Sequence, residues 1–175
     1  MSSTSAAAPD QPPESIGLAA LNAMPAERAR DLLLGCCHAG RWAAQVTAGR
    51  PYPALDALLT RAGEELTDDD VSEALAGHPR IGQAPAAGQS AWSRREQAGV
   101  GHAGGAVLAE LAAGNQAYED RFGHIYLVCA SGRSAGELLS ILKDRLRNAP
   151  DAERHVVRGE LRAINNLRLT KLIGS

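Results

Sequence analysis

Apolar side chains recur at steps of three and four along most of this chain, and most of them are Leu, Ala or Val. Aromatic residues make up 3% of it, although 45% of all residues are hydrophobic. A core made of such side chains, with few β-branched runs, is a core of packed helices. The 175 residues suit one domain around a single core.

The punctuation agrees with that reading. Pro25 opens a helix carrying Glu27, Leu32, Leu33 and Cys36, and a second helix carries Trp42 and Val46 and stops before Gly49. Pro51 and Pro53 turn the chain, and helical spacing resumes at Leu55, Leu58 and Leu59. Thr67 with Asp70, Ser93 with Glu96, and Ser134 with Glu137 match the S/T-x-x-D/E signature of a capped helix start. Gly77 and Pro79 end the helix that begins near Thr67, and a loop rich in Gly, Ala and Pro follows over 82–89. A helix is expected over roughly 105–121, with Leu108, Leu111, Tyr118 and Phe122 on one face and Gly123 as its stop. The stretch 124–129 has the composition of a strand but no partner to form a ladder, so it reads as an extended segment between helices. A last helix covers about 150–172. The expected fold is all-α: a compact single-domain bundle of about eight helices with one short extended segment. It spans residues 15–175, after a disordered tail over 1–14 rich in Ser, Ala and Pro.

Charge and cysteine usage exclude several classes. With 18 basic and 20 acidic side chains the net charge is -2, which makes no field able to gather phosphates, so nucleic acid is not an expected partner. No apolar run is long enough to span a bilayer, and residues 1–13 lack the features of a signal peptide. Cys36, Cys37 and Cys129 are odd in number and two are adjacent, which is a poor disulfide framework and reads as reduced thiols in the cytoplasm. The five histidines show no metal-ligand spacing, so no metal is expected.

Three residues stand out as able to carry chemistry. His78 lies at a helix end just before Pro79, where carbonyl oxygens favour a protonated imidazole, and it can serve as an acid or base or simply cap the helix. Glu96 either completes a capping box with Ser93 or stands beside His78, orienting it and raising its pKa. Arg168 falls on one helical stripe with Val157, Leu161, Ile164 and Leu172. A cation in an apolar stripe needs a partner, and a substrate carboxylate, Glu96 or solvent can each provide one. Two further readings fit the residues alone: a hydrolase using Cys129 with a histidine, and a non-catalytic helical interaction module.

The motifs taken in order resemble one family. His78-Pro79-Arg80-Ile81-Gly82 is followed by Ser93 to Gly99 as S-x-x-E-Q-A-G, and Asn115 with Tyr118 and Arg121-Phe122-Gly123 forms N-x-x-Y-x-x-R-F-G. Gly132-Arg133-Ser134 and a closing Asn165 to Leu169 as N-x-L-R-L complete the order. This is similar to the decarboxylases of 2-oxo-4-hydroxy-4-carboxy-5-ureidoimidazoline (OHCU) in urate degradation. The resemblance implies an all-helical homodimer that needs no cofactor and converts OHCU to (S)-allantoin with loss of carbon dioxide. It implies that the catalytic residues are His78 and Glu96. It implies substrate contacts at Pro79, Ser93, Gln97, Tyr126, Leu127, Val128, Cys129 and Ala130, and at Arg168. Phe122-Gly123-His124-Ile125-Tyr126 departs from the F-G-F-P-F common in that family.

Overall fold

A computed structural model describes residues 14–83, 91–101 and 103–174. The expected tail, but for Glu14, lies outside the described residues, as does most of the expected loop after Gly82. Nine α-helices follow one another among the described residues: α1 (Leu18–Ala23), α2 (Ala26–Cys36), α3 (Gly40–Ala48), α4 (Leu55–Glu64), α5 (Asp68–Gly77), α6 (Ala91–Glu96), α7 (Gly105–Phe122), α8 (Ala135–Arg145) and α9 (Pro150–Ile173). None is long and apolar enough to cross a membrane. The helix beyond the expected eight is α1, which has no side-chain cap and buries only Leu21. Tertiary contact holds the chain just before it: Ile16 and Gly17 donate their N–H groups to Leu172 and Ile173, satisfying open carbonyls at the end of α9.

Local signals place several of the helix ends. The capping boxes of Thr67 with Asp70 and of Ser134 with Glu137 both form. Gly123 ends α7 in the left-handed conformation, at φ 78°. The third expected box does not form. Helix α6 begins at Ala91, so Ser93 lies inside it, and the Glu96 carboxylate is drawn elsewhere.

Two cores share the molecule. The first gathers α1 to α5 with α9 around Trp42, Leu33 and Leu161. The second lies around Leu111, Tyr118, Leu138 and Leu142 on α7 and α8. Segment 124–130 runs between them and has no strand partner among the described residues, as expected. Ile125, Leu127 and Cys129 pack into the first core, and Tyr126, Val128 and Ala130 into the second. This alternation is that of an extended chain.

A buried ionic network braces α7, α8 and α9 behind that segment. Arg145 Nε donates to Glu153 at 2.7 Å, Nη1 donates to the Leu127 carbonyl at 2.6 Å, and Nη2 reaches the Tyr118 hydroxyl at 3.2 Å. The Tyr118 hydroxyl in turn donates to Glu153, and so does Asn148 Nδ2, at 2.7 Å. Both charges are out of water: Arg145 is 5% exposed and Glu153 0%. Removing one partner strands the other, so Arg145→Leu should lower unfolding free energy by about 3–5 kcal/mol. Arg145→Leu combined with Glu153→Leu should lose much less, and urea denaturation of the two variants measures the difference.

Candidate functional site

His78 is the C-cap of α5, and Pro79 holds it extended at φ -91°, ψ 142°. Its Nδ1 lies 2.7 Å from the Ala74 carbonyl. A carbonyl only accepts, so Nδ1 carries the proton and Nε2 the lone pair. That Nε2 is buried and has no hydrogen-bond partner among the described residues. Burial pushes the His78 pKa down to about 4, with the Arg168 charge second; the Ala74 bond and Glu96 act the other way and are outweighed. The imidazole is thus neutral near pH 7, opposite to the expectation from its helix end and from a neighbouring carboxylate.

Arg168 explains where Glu96 points. The stripe is as expected: Val157, Leu161, Ile164 and Leu172 are buried, and Arg168 is 1% exposed among them. Its Nε and Nη2 donate to the two Glu96 carboxylate oxygens at 2.7 and 2.8 Å, the fork geometry that suits guanidinium to carboxylate. Nη2 also reaches Ser93 Oγ at 3.3 Å, and Nη1 takes the open Cys36 carbonyl at the end of α2 at 2.9 Å.

Two further helices hold the turn after His78. Gly82 has φ +80°, a conformation that favours glycine. Its N–H donates to Gln97 Oε1 at 3.1 Å, and Gln97 Nε2 reaches back to the Arg80 carbonyl at 3.4 Å. Asn115 Nδ2 on α7 donates to the Ile81 carbonyl at 2.8 Å, and Glu119, one turn on, receives Arg80 at 2.7 Å. Gly99 lets the Arg133 carbonyl approach, because a Cβ there would stand 2.6 Å from that oxygen.

These elements enclose a small cavity of about 20 Å³. Of the expected residues it brings together His78, Pro79, Ser93, Glu96, Gln97, Tyr126, Leu127, Val128 and Ala130; it adds Ile81 and Ile164. A larger pocket of about 360 Å³, lined by Gly82, Val100 and Leu108 among others, opens on the other side of Gln97. Two expected contacts are not in the cavity lining. Arg168 stands behind Glu96 with its donors turned to Glu96, Ser93 and Cys36. Cys129 donates its N–H to Glu160 Oε2 at 2.8 Å, so that group is not offered to a ligand. Burial raises the Cys129 thiol above its ordinary value, with the Ser131 backbone hydrogen bond acting the other way and the Glu160 charge adding to the rise, which disfavours the thiolate that a Cys–His hydrolase uses. His78 and Glu96 share one cavity rather than lying on opposite surfaces, which also speaks against a purely structural module. Sequence reasoning placed Asn115 in a family motif without giving it a role, and missed Glu160 as a support of this site, because a lone Glu on a helix has no local signature.

Losing the Arg168 guanidinium leaves the Glu96 carboxylate without its countercharge. Arg168→Leu should therefore destabilise the fold by about 3–5 kcal/mol. Arg168→Lys, which keeps the charge without the fork, should recover part of that in a melting experiment. A Leu variant as stable as the parent would show that the pair contributes nothing.

The sequence profile of the OHCU decarboxylase family matches residues 22–170. The chain is 32% identical over 145 residues to the uric acid degradation bifunctional protein TTL of Arabidopsis thaliana, covering 78% of this chain and 45% of that protein. It is 24% identical over 156 residues to the uric acid degradation bifunctional protein of Bacillus sp. (strain TB-90), covering 87% and 31%. The chain thus spans less than half the length of each of these curated relatives. Among solved structures it is similar to an OHCU decarboxylase crystallised in the presence of (S)-allantoin, with TM-score 0.71, 30% identity, and 83% of this chain and 99% of that one covered. An (S)-allantoin synthase structure shares the fold, with TM-score 0.68 at 19% identity, covering 90% of this chain and 54% of that one.

Proposed function

The chain belongs to the OHCU decarboxylase family, and from that membership we propose that it converts OHCU to (S)-allantoin and carbon dioxide in urate degradation. The observation that carries the proposal is the buried, unpartnered Nε2 of a neutral His78, in one cavity with a Glu96 fixed by Arg168.

Loss of carbon dioxide leaves an electron pair that must be accepted. OHCU has a C=N bond beside the carbon that bears the carboxylate, so the substrate is its own electron sink and we propose that no cofactor or metal is required. As the carbon–carboxylate bond breaks, its electrons form a carbon–carbon double bond, and the C=N pair moves to nitrogen, which takes a proton. The product of that step is an enol. It becomes the ketone of allantoin when its hydroxyl loses a proton and the neighbouring ring carbon gains one. His78 Nε2 has the lone pair to take the hydroxyl proton, and Nδ1, held by Ala74, keeps that lone pair toward the cavity. Glu96 is held to one orientation by the guanidinium fork, where it accepts N–H groups of the ring or ureido arm. Pro79, Ser93, Gln97 and residues 126–130 form the walls. We place Arg168 and Cys129 in support of those walls, and the protein as a cytoplasmic homodimer.

The direct test supplies freshly made OHCU, in buffer containing EDTA, and follows the optical activity of the allantoin formed against a protein-free blank. A faster, single-handed product supports the reading; a rate and racemic product equal to the blank would reject it. His78→Asn should lower kcat by about 10²–10⁴-fold while the fold survives.

The pH profile tests the state of the imidazole. A base must be unprotonated, so kcat/KM should stay level as pH falls through 6.5 and drop only on approach to about 4. The same shift affects stability. Below pH 6.5 the unfolded chain binds the His78 proton before the folded one does, so the His78 contribution declines from there toward pH 4. A limb near 6.5 at temperatures where the protein remains folded would show that His78 is not the neutral base.

A further inference from the structure

Among the described residues segment 124–130 has no strand beside it, yet something must set its register. In an extended chain each residue turns its N–H and C=O to one side and the next residue turns them to the other. On one side, the Leu127 carbonyl accepts from Arg145 at 2.6 Å and the Cys129 N–H donates to Glu160 at 2.8 Å. Val128 lies between the two, so its polar groups face the opposite way. Among the described residues neither the Val128 N–H nor its C=O is hydrogen-bonded, and nor is the Ala130 N–H. Val128 and Ala130 line the His78 cavity and Cys129 does not. Glu160 is on α9, one turn before Ile164, which lines the same cavity.

We propose that Glu160 is a positioning residue: by holding the Cys129 N–H it sets the register in which Val128 presents an N–H and a C=O to the cavity, a pair complementary to the N–H and C=O edge of a ureido or ring-amide substrate. Two side chains, Arg145 and Glu160, thereby do the work that a neighbouring strand does in a sheet. Arg145 is locked by its own buried network, which leaves Glu160 as the support of the cavity end. This proposal rests on the decarboxylase reading for its substrate, but not for its geometry.

Two variants separate geometry from charge. Glu160→Asp keeps the charge and withdraws the oxygen by one methylene; Glu160→Gln removes the charge and keeps an acceptor at the same reach. The Asp variant should raise KM and lower kcat/KM by about tenfold or more, since small misplacements of binding groups carry penalties of that size. Its melting temperature should change little, and amide hydrogen exchange at Cys129 should quicken. The Gln variant should recover most of both losses. An Asp variant with parental KM and Cys129 protection overturns the proposal, as does a Gln variant no better than the Asp one. The exchange measurement needs no substrate. A parent protein inactive on OHCU would therefore reject the decarboxylase reading, while exchange at Cys129 in the two variants still decides whether Glu160 sets the register.

Discussion

The Arg168 guanidinium ties together three parts of the chain: α9, the end of α2 and α6. It lies on the longest helix, α9, on a stripe that is otherwise Val, Leu and Ile, and is as buried as those neighbours. From there it reaches the carbonyl that ends α2 and the Ser93 and Glu96 side chains of α6. Helix α6 has only six residues, too few to be stable by itself. Its position follows from that ion pair and from Gln97, which clasps the turn after Pro79. The arrangement also sets the protonation of His78. Burial disfavours a charged imidazole, and the nearby Arg168 cation opposes a second positive charge, so the ring is neutral. The guanidinium that holds Glu96 thus also adds to the lowering of the His78 pKa.

A binding site built among helices has a difficulty that one in a sheet protein does not. Helices satisfy their own backbone groups and leave few N–H and C=O groups to offer a small polar ligand. Segment 124–130 answers it by staying extended between two cores. Its side chains fill the first core and the second by turns, and burial of both sets fixes the segment's direction. Charged side chains from α8 and α9 occupy backbone groups on one side, and groups on the other side remain for the cavity. Two glycines of the motifs allow close backbone geometry nearby: Gly82 makes a left-handed turn after Ile81, and Gly99 lets the Arg133 carbonyl approach the chain just after α6.

The cavity itself is small, with room for little more than water, and Gln97 stands between it and a much larger apolar pocket. Gln97 lines both, while its amide holds the backbone of Arg80 and Gly82. A side chain so placed links the shape of the cavity to the turn that carries His78.

Much of the fold was legible locally. The Thr67 and Ser134 boxes, the Gly123 stop and the α9 stripe each depend on residues within a turn or two of one another, and such signals survive in the sequence. The extended segment was legible by elimination, as strand composition with no partner strand, and the order of motifs pointed to the family. Tertiary structure alone decided the rest. Ser93 and Glu96 have the spacing of a capping box, but a bidentate bond from a buried guanidinium 72 residues away is stronger than a local cap, and it won. His78 at a helix end reads as a raised pKa until burial and Arg168 are counted. Glu160 bears no mark in the sequence, because its partner is a backbone N–H whose availability depends on the absence of a neighbouring strand. By itself the sequence determined eight of the nine helical stretches among the described residues and which residues can do chemistry. Only the packed structure decided their protonation, their partners and the direction each one faces, because those depend on burial and on charges distant in the chain.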